Sequence, residues 1–214
     1  MASAVIHICV AKKINDKLKL NPKLLYLGTI APDTAKILNQ TKDTTHFQEK
    51  PHDDYPKLEW FLEKYRKNIN DPYVLGYYIH LYTDRLWTTD FINKYLFSSF
   101  IHLKSGEDIS LSKSDMKELL YNDYTNLNVG LIDHYDLELS LFYEDIIYPE
   151  VEISEVPNDK LHLVVDKMGV IIKNSTNDKN YVLDHHEVIK FIDYASDIIY
   201  EDIKSLLNID CEVK

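Results

Sequence analysis

Glycine is scarce in this chain, which has five glycines among 214 residues, whereas an average usage of about 7% would give about fifteen. Sandwiches and barrels of many short strands need frequent tight turns, and glycine is the residue that such turns most often require. We therefore expect helices rather than strands. At this length a chain can bury its own hydrophobic core without a disulfide or a structural metal, so any bound metal is expected to be functional.

Apolar residues recur at helical spacing through most of the sequence, between recognisable start and stop signals. Ser3 can cap a first helix that ends near residue 20, and Asp71-Pro72 combines an N-cap carboxylate with proline at the first helical position, opening a helix through Trp87. Asp184 caps a final helix with a wide apolar stripe. Further helical segments are predicted over 57–68, 91–103, 114–121, 126–148 and 159–172, with a polar loop over 39–56 and a short extended piece near 149–158. The prediction is a single all-α domain over residues 1–214.

The charge balance is acidic, with 24 Lys+Arg against 35 Asp+Glu and a net charge of −11. This balance argues against a broad positive face for nucleic acid or anionic lipid, so an anion would need a local cationic device. Cys9 and Cys211 lie near opposite ends and predict neither a CxxC metal site nor a disulfide framework. The apolar stretch Ala4–Val10 is too short for a secretory signal or a membrane-spanning helix, and we expect a cytoplasmic protein.

The segment from Gly76 to Trp87 carries the most informative pattern. His80 and Asp84 are four residues apart, so on a helix they project from one face and could bind the same ion. Gly76 lies one turn earlier, and because a glycine inside a helix costs about 1 kcal/mol relative to alanine, another backbone or a bound group is expected to approach there. A core histidine hydrogen-bonded to Asp84 would explain the pair equally well on its own.

Three side chains of the same chemistry precede this segment: His7, Asp33 and His46. His7 lies inside an apolar helix, and His46 lies in a polar loop. Asp33 ends the turn Gly28–Asp33, in which glycine and proline are expected to stop the preceding helical segment. Each has an ordinary explanation taken singly, as a buried histidine, a turn residue or a solvated loop histidine. Together with the later pair they form three imidazoles and two carboxylates, the donor set of zinc and other divalent sites.

The order of these motifs resembles the zinc-dependent phospholipase C family, which is related in fold to the S1/P1 nucleases. The resemblance lies in His7, Gly-x-x-Ala-Pro-Asp at 28–33, Thr-His-Phe at 45–47, and Gly-Tyr-x-x-His-x-x-x-Asp at 76–84, closed by Trp87, and covers about the first 90 residues. It implies a mostly helical fold in which one metal is surrounded by Asp33, His46, His80 and Asp84. It also implies a neighbouring metal beside His7, with one to three zinc or other divalent ions in all.

Two features depart from that family. Its secreted members use the amino group and carbonyl of a processed N-terminal residue as ligands, whereas this sequence reads Met-Ala-Ser at its start. The family's third ligand group, a histidine soon after the HxxxD motif and then an HxxxE pair, has no direct counterpart. Asp90 lies near the first position, His134 and Glu138 have the HxxxE spacing farther downstream, and Asp123 is a further candidate. The number of ions therefore stays open.

The residues and the resemblance together predict a metal-dependent hydrolase of phosphoric esters, a phospholipase C-like phosphodiesterase acting on a lipid or small-molecule ester. Asp33 is expected to act as ligand and general base, and His7 as an outer ligand. A rival reading as an HD phosphohydrolase at His52-Asp53 is disfavoured because prolines bracket a pair that usually lies on a helix. The alternative from another class is a non-catalytic helical metal-binding, sensor or interaction protein.

Overall fold

The computed structural model describes residues 2–49 and 55–209, with 66% helix and 3% strand. The predicted all-α class is therefore confirmed. The helices are α1 Ala4–Leu18, α2 Pro22–Ile30, α3 Thr34–Ile37, α4 Lys42–Thr45, α5 Leu58–Tyr65, α6 Pro72–Leu86, α7 Lys113–His134, α8 Leu161–Lys173 and α9 His185–Leu207. A two-residue hairpin pairs β1 Ile101–His102 with β2 Asp108–Ile109 in antiparallel register. No helix within the described residues is long and apolar enough to span a membrane.

Apart from α8, the long helices begin at capping side chains that accept orphan amide hydrogens of the first turn. Ser3 accepts from the amide of the third residue after it. Asp71 accepts two amides at the start of α6, and Asp184 does the same at the start of α9. All three predicted caps are confirmed. A fourth, Asn21, caps α2.

The closest helix pair is α2 against α6, and two glycines make it possible. A Cβ at Gly28 would lie 2.0 Å from the Tyr73 carbonyl oxygen, and one at Gly76 would lie 2.0 Å from the Leu25 carbonyl oxygen. The expectation of a backbone approaching Gly76 is confirmed. The expectation that Gly28 stops the helix is wrong, because α2 continues to Ile30 and the glycine serves close packing rather than a turn.

Helix α1 packs on both α2 and α6, while α9 covers α1 and α6, and α8 packs against α2 and α3. Apolar side chains from all the long helices meet in one buried cluster. The α2–α6 crossing lies within this core, and it brings the end of α2 beside the middle of α6. The candidate ligands come from these two helices, from the segment after α2 and from α1.

The helix predicted over 91–103 is wrong. A π-helical turn at Trp87–Phe91 and a 3₁₀ turn at Ile92–Lys94 precede the hairpin. Phe91 is anchored in the core against Trp87 and Phe191, with ring centroids 4.5 and 5.1 Å away. Beyond it Leu96 and Phe97 are exposed, so these apolar residues do not form the buried face that a helix would need.

The segment predicted to be helical over 126–148 with an interruption at Gly130 also differs. Helix α7 runs through Gly130 and ends at His134. The glycine lies against α9, since a Cβ there would meet His185 Nε2 at 2.6 Å. Asp136 then adopts a left-handed φ of 46°, which turns the chain away from the helix. The extended piece near 149–158 is reduced to a bridge between Ile153 and Val156.

Candidate metal centre

His80 and Asp84 share one face of α6, as their spacing predicts. Both side chains are buried, at 1% and 0% exposure, and His80 Nε2 lies 3.5 Å from Asp84 Oδ2. The hydrogen-bonding partner of the His80 Nδ1 atom is the Thr29 carbonyl oxygen, at 2.7 Å. A carbonyl can only accept, so Nδ1 carries the hydrogen and Nε2 presents its lone pair. The end of α2, where main-chain carbonyls are free of helical partners, thus orients the His80 ring.

His46 is oriented by an equivalent arrangement. It follows α4, and its Nδ1 lies 2.9 Å from Thr45 Oγ1. The Thr45 hydroxyl also donates to the Lys42 carbonyl. In the tautomer in which it accepts from His46 Nδ1–H, Nε2 is left with a lone pair for a metal ion. The Tyr77 hydroxyl donates to the Thr45 carbonyl and ties this turn to α6. Burial first, and then the positive charge of Lys42, hold the pKa of His46 well below its usual range, so the imidazole is neutral.

Three ligand atoms converge between these groups. His46 Nε2 and His80 Nε2 are 3.2 Å apart, and Asp84 Oδ2 lies 3.7 Å from the first and 3.5 Å from the second. Zinc bonds of 2.0–2.1 Å in a tetrahedral arrangement separate ligand atoms by about 3.3 Å. A hydrogen bond would explain why two of these atoms lie close together, but not all three. In addition, Asp84 Oδ2 has no hydrogen-bond partner within the described residues. The donor set therefore fits a divalent ion.

His7 lies on the far side of His80. The two rings are stacked with centroids 3.9 Å apart, and His7 Nε2 is 3.2 Å from Asp84 Oδ1, which also accepts the Ala2 amide hydrogen at 2.8 Å. Neither ring nitrogen of His7 makes a well-formed hydrogen bond within residues 2–49 and 55–209. Burial, followed by the neighbouring His80, lowers the pKa of His7 to about 4 despite the Asp84 carboxylate. His7 is thus a neutral imidazole, and one of its ring nitrogens has a lone pair that can bind a ligand.

Asp33 occupies the opposite side of the cluster, at the end of the 3₁₀ turn that follows α2. Its Oδ1 lies 3.0 Å from Lys36 Nζ, 3.1 Å from Lys42 Nζ and 3.9 Å from His46 Nε2. Burial by itself would raise the pKa of Asp33, but Lys36 and then Lys42 outweigh it and hold that pKa well below its usual range. Burial lowers the pKa of Lys42 to about 8 against the pull of Asp33. The carboxylate is therefore ionised, with ammonium groups beside it.

All five side chains predicted as ligands from the sequence come together in the core. They form two overlapping groups, His7 with His80 and Asp84, and Asp33 with His46 and His80; in each group the ligand atoms lie within 4.8 Å of one another. The sequence reasoning missed the two lysines. The three-residue spacing of Lys36 from Asp33 was a usable signal on a helical turn, but nothing in the local pattern placed Lys42 there.

The remaining candidates lie elsewhere: Asp90, Asp123, His134 and Glu138. The Asp123 carboxylate accepts amide hydrogens from residues 181–183 and fixes the segment before α9. Asp90 accepts from a tyrosine hydroxyl, Glu138 accepts from a nearby serine, and His134 is exposed at the end of α7. The His52-Asp53 pair lies outside the described residues. None of the four described candidates adds a ligand to the cluster.

A cavity of about 570 Å³ adjoins the cluster. Its walls come from residues 2–5 at the start of α1, from Lys36 and Ile37, and from α7 and α8, with Val5, Tyr124, Met168, Ile171 and Ile172 supplying apolar surface. Asp33 lines this cavity and belongs to the cluster, whereas the three histidines and Asp84 lie beneath it with at most 1% exposure. A ligand in the cavity therefore meets the cluster on the Asp33 side.

Comparison with known proteins identifies no relative: no protein-family model matches the chain, and neither the curated proteins nor the solved structures include a significant match. The resemblance to zinc-dependent phospholipases C thus rests on the order and spacing of the motifs in residues 7–87.

Proposed function

We propose that this chain is a metal-dependent hydrolase of phosphoric esters, with the phospholipase C/P1 nuclease-like fold that its motif order implies. The observation that carries the proposal is the convergence of His46 Nε2, His80 Nε2 and Asp84 Oδ2 at mutual distances of 3.2–3.7 Å. The other nitrogen of each imidazole lies against an oxygen, a carbonyl for His80 and a hydroxyl for His46, the arrangement typical of metal-binding histidines.

A divalent ion held there would lower the pKa of a bound water toward about 7 and polarise a phosphoryl oxygen. Asp33 is ionised and lies between the ligands and the cavity, so its carboxylate is placed to orient an attacking water by accepting a hydrogen bond. Because Lys36 and Lys42 hold its pKa well below its usual range, it is a weaker base than an ordinary carboxylate. Lys36 brings positive charge to the same place. This local positive charge would allow a chain of acidic net charge to bind an anion.

The cavity supports an organic group on the ester. Its volume is typical of small-molecule sites, and its walls expose more apolar than polar surface, with Lys36 at the side next to Asp33. Apolar walls suit the alcohol portion of a lipid or another apolar phosphate ester, while the ammonium suits its phosphate. Both substrate classes expected from the sequence are compatible with these walls.

A second function, a non-catalytic metal-binding protein, is favoured by one observation. His46, His80 and Asp84 are at most 1% exposed, and structural zinc sites are closed whereas catalytic ones keep an open coordination position. For hydrolysis the Asp33 side must admit water and substrate to the ion. The two functions share the same metal ligands and differ in turnover.

The experiment that separates them uses purified protein loaded with zinc and measures metal content by mass spectrometry. Hydrolysis of bis-p-nitrophenyl phosphate and of phosphatidylcholine is followed before and after chelation. The proposed function predicts turnover that chelation removes and that His80→Ala lacks, with the exposed His134→Ala as a matched control. Metal-replete protein that hydrolyses neither ester would contradict the hydrolase and leave the metal-binding alternative.

A further inference from the structure

The Asp33 side of the cluster already carries cations of its own. Lys36 Nζ and Lys42 Nζ lie 3.0 and 3.1 Å from the same carboxylate oxygen, which is the oxygen nearest His46 Nε2, at 3.9 Å. A second metal ion on Asp33 would have to take the place of these ammonium groups. The position where a second cation would bind is thus held by side chains of the chain itself.

The supply of donor atoms also limits the number of ions. His46 and His80 each have one nitrogen committed to an oxygen acceptor, so each offers a single lone pair. An ion bound to these two and to Asp84 uses both, and His80 is common to the two candidate groups. Within the described residues, the His7 ring and Asp84 Oδ1 are then the side-chain donors left on that side. Protein zinc sites use three or four protein ligands, so these two side chains alone are too few for a second ion.

The charges of the cluster also favour a single ion. Asp33 and Asp84 carry two negative charges, and Lys36 and Lys42 carry two positive ones, so the cluster is balanced before any ion binds. One divalent ion leaves a charge of +2, which suits an anionic phosphate ester. A second ion on the His7 side would leave +4 among carboxylate and imidazole side chains of at most 5% exposure, and uncompensated buried charge is strongly unfavourable.

We propose that this cluster binds a single divalent ion, and that Lys36 and Lys42 supply the positive charge a second ion would otherwise provide, Lys36 contacting the phosphate of the bound ester. The inference rests on the proposed function. Of the two lysines on Asp33, Lys36 is the one that reaches the ligand, because it lines the cavity and its side chain is 38% exposed against 17% for Lys42. Lys42 stays on Asp33 and keeps that carboxylate neutralised.

The stoichiometry is tested without substrate. The full chain is saturated with zinc, separated from free metal by gel filtration and analysed for zinc and protein by mass spectrometry. One ion per chain is expected, and two or three retained ions would overturn the proposal. One ion per chain without any hydrolysis would contradict the proposed function but not the stoichiometry. Two ions per chain with hydrolysis would contradict the stoichiometry but not the proposed function.

The role of Lys36 is tested by calorimetric titration of the zinc-loaded protein with inorganic phosphate. Loss of one charge-assisted hydrogen bond in Lys36→Met should weaken phosphate binding about tenfold, while Lys36→Arg should retain most of the affinity. Lys12→Met is the matched control, because Lys12 pairs with Asp16 on the surface of α1. Undetectable phosphate binding to the unsubstituted protein, or equal affinity in Lys36→Met, would overturn the role, as would an equal loss in Lys12→Met.

The role of Lys42 is tested by zinc affinity in competition with a chromophoric chelator. Removing a positive charge beside the ion should tighten zinc binding several-fold in Lys42→Met, and Lys42→Arg should bind zinc as the unsubstituted protein does. Circular dichroism checks that both variants are folded, and Lys42→Gln serves if Lys42→Met is not. Unchanged or weaker zinc binding in the folded neutral variant would overturn the role of Lys42.

Discussion

The two sides of the buried cluster satisfy their polar groups in opposite ways. On one side, the imidazole side, the ligand atoms of His46, His80 and Asp84 lie 3.2–3.7 Å from one another, and the proposed ion would complete the arrangement. On the other side, the ammonium side, Asp33 is neutralised by Lys36 and Lys42. Two equally buried carboxylates in one core are thus neutralised differently, and only Asp33 has ammonium groups beside it. Under the proposed function, the ion binds on the imidazole side.

Both sides depend on the α2–α6 crossing, so the largest effect is expected from breaking it. Gly76→Ala places a Cβ 2.0 Å from the Leu25 carbonyl oxygen, which forces the helices apart, and we expect a loss of about 4 kcal/mol or more in the free energy of unfolding. Urea unfolding followed by circular dichroism measures it.

Gly169→Ala is the matched control for Gly76→Ala. It also lies inside a helix, but its Cβ would meet Phe142 at an ordinary 3.6 Å, so we expect unchanged stability or a gain of up to about 1 kcal/mol. Equal effects of the two substitutions would show that helix propensity, and not the crossing, determines the result at Gly76.

A smaller loss of stability is expected when the pH of the metal-free protein is lowered, because the buried imidazoles are neutral in the folded state. The folded pKa of His7 is about 4 and its ordinary value 6.5, so the unfolded chain binds this proton first as the pH falls. The stability contributed by neutral His7 is fully present above pH 6.5 and is lost as the pH falls from 6.5 to 4. Below pH 4 it changes no further, and the total loss is about 3 kcal/mol. His46, whose pKa is also lowered, acts in the same direction.

Urea unfolding at pH 7 and pH 4.5 after chelation measures this loss. His7→Leu should lose much less stability than the unsubstituted protein over that interval, whereas the exposed His134→Ala should lose as much. If His7→Leu kept the full pH dependence, the neutral buried state of His7 would be wrong.

The smallest effect concerns the support of a ligand. Thr45→Val removes the oxygen that accepts from His46 Nδ1, and loss of such an orienting contact typically weakens metal binding by about tenfold. Thr89→Val, at an exposed threonine that bonds a helix carbonyl, should leave zinc affinity unchanged. Competition with a chromophoric chelator measures both, and equal affinities would indicate that His46 does not bind the ion.

The sequence allowed the imidazole side to be predicted in full and the ammonium side in part. His80 and Asp84 are related by helical spacing alone, and Asp33 and His46 lie in motifs of recognisable order. Lys42 could not be found this way, because its contact with Asp33 depends on how the turn before His46 folds back over the end of α2. Its charge is common in surface loops and carries no local signal.

Some parts of the fold could likewise be predicted from the sequence, and others could not. Helices with a capping side chain and a buried face, such as α6 and α9, begin where Asp71 and Asp184 predict. The segment after Trp87 did not follow its pattern, because Phe91 is held by core aromatic rings while the residues beyond it reach the surface. Gly28 was misread because the sequence shows the residue but not the helix that packs against it.

The central claim is that an ion binds on the imidazole side, and anomalous diffraction from crystals of the zinc-loaded protein at the zinc edge tests it most directly. We expect an anomalous peak within bonding distance of His46 Nε2, His80 Nε2 and Asp84 Oδ2, with Lys36 and Lys42 still beside Asp33. A peak bound elsewhere, or no peak between these three atoms at saturating zinc, would contradict it.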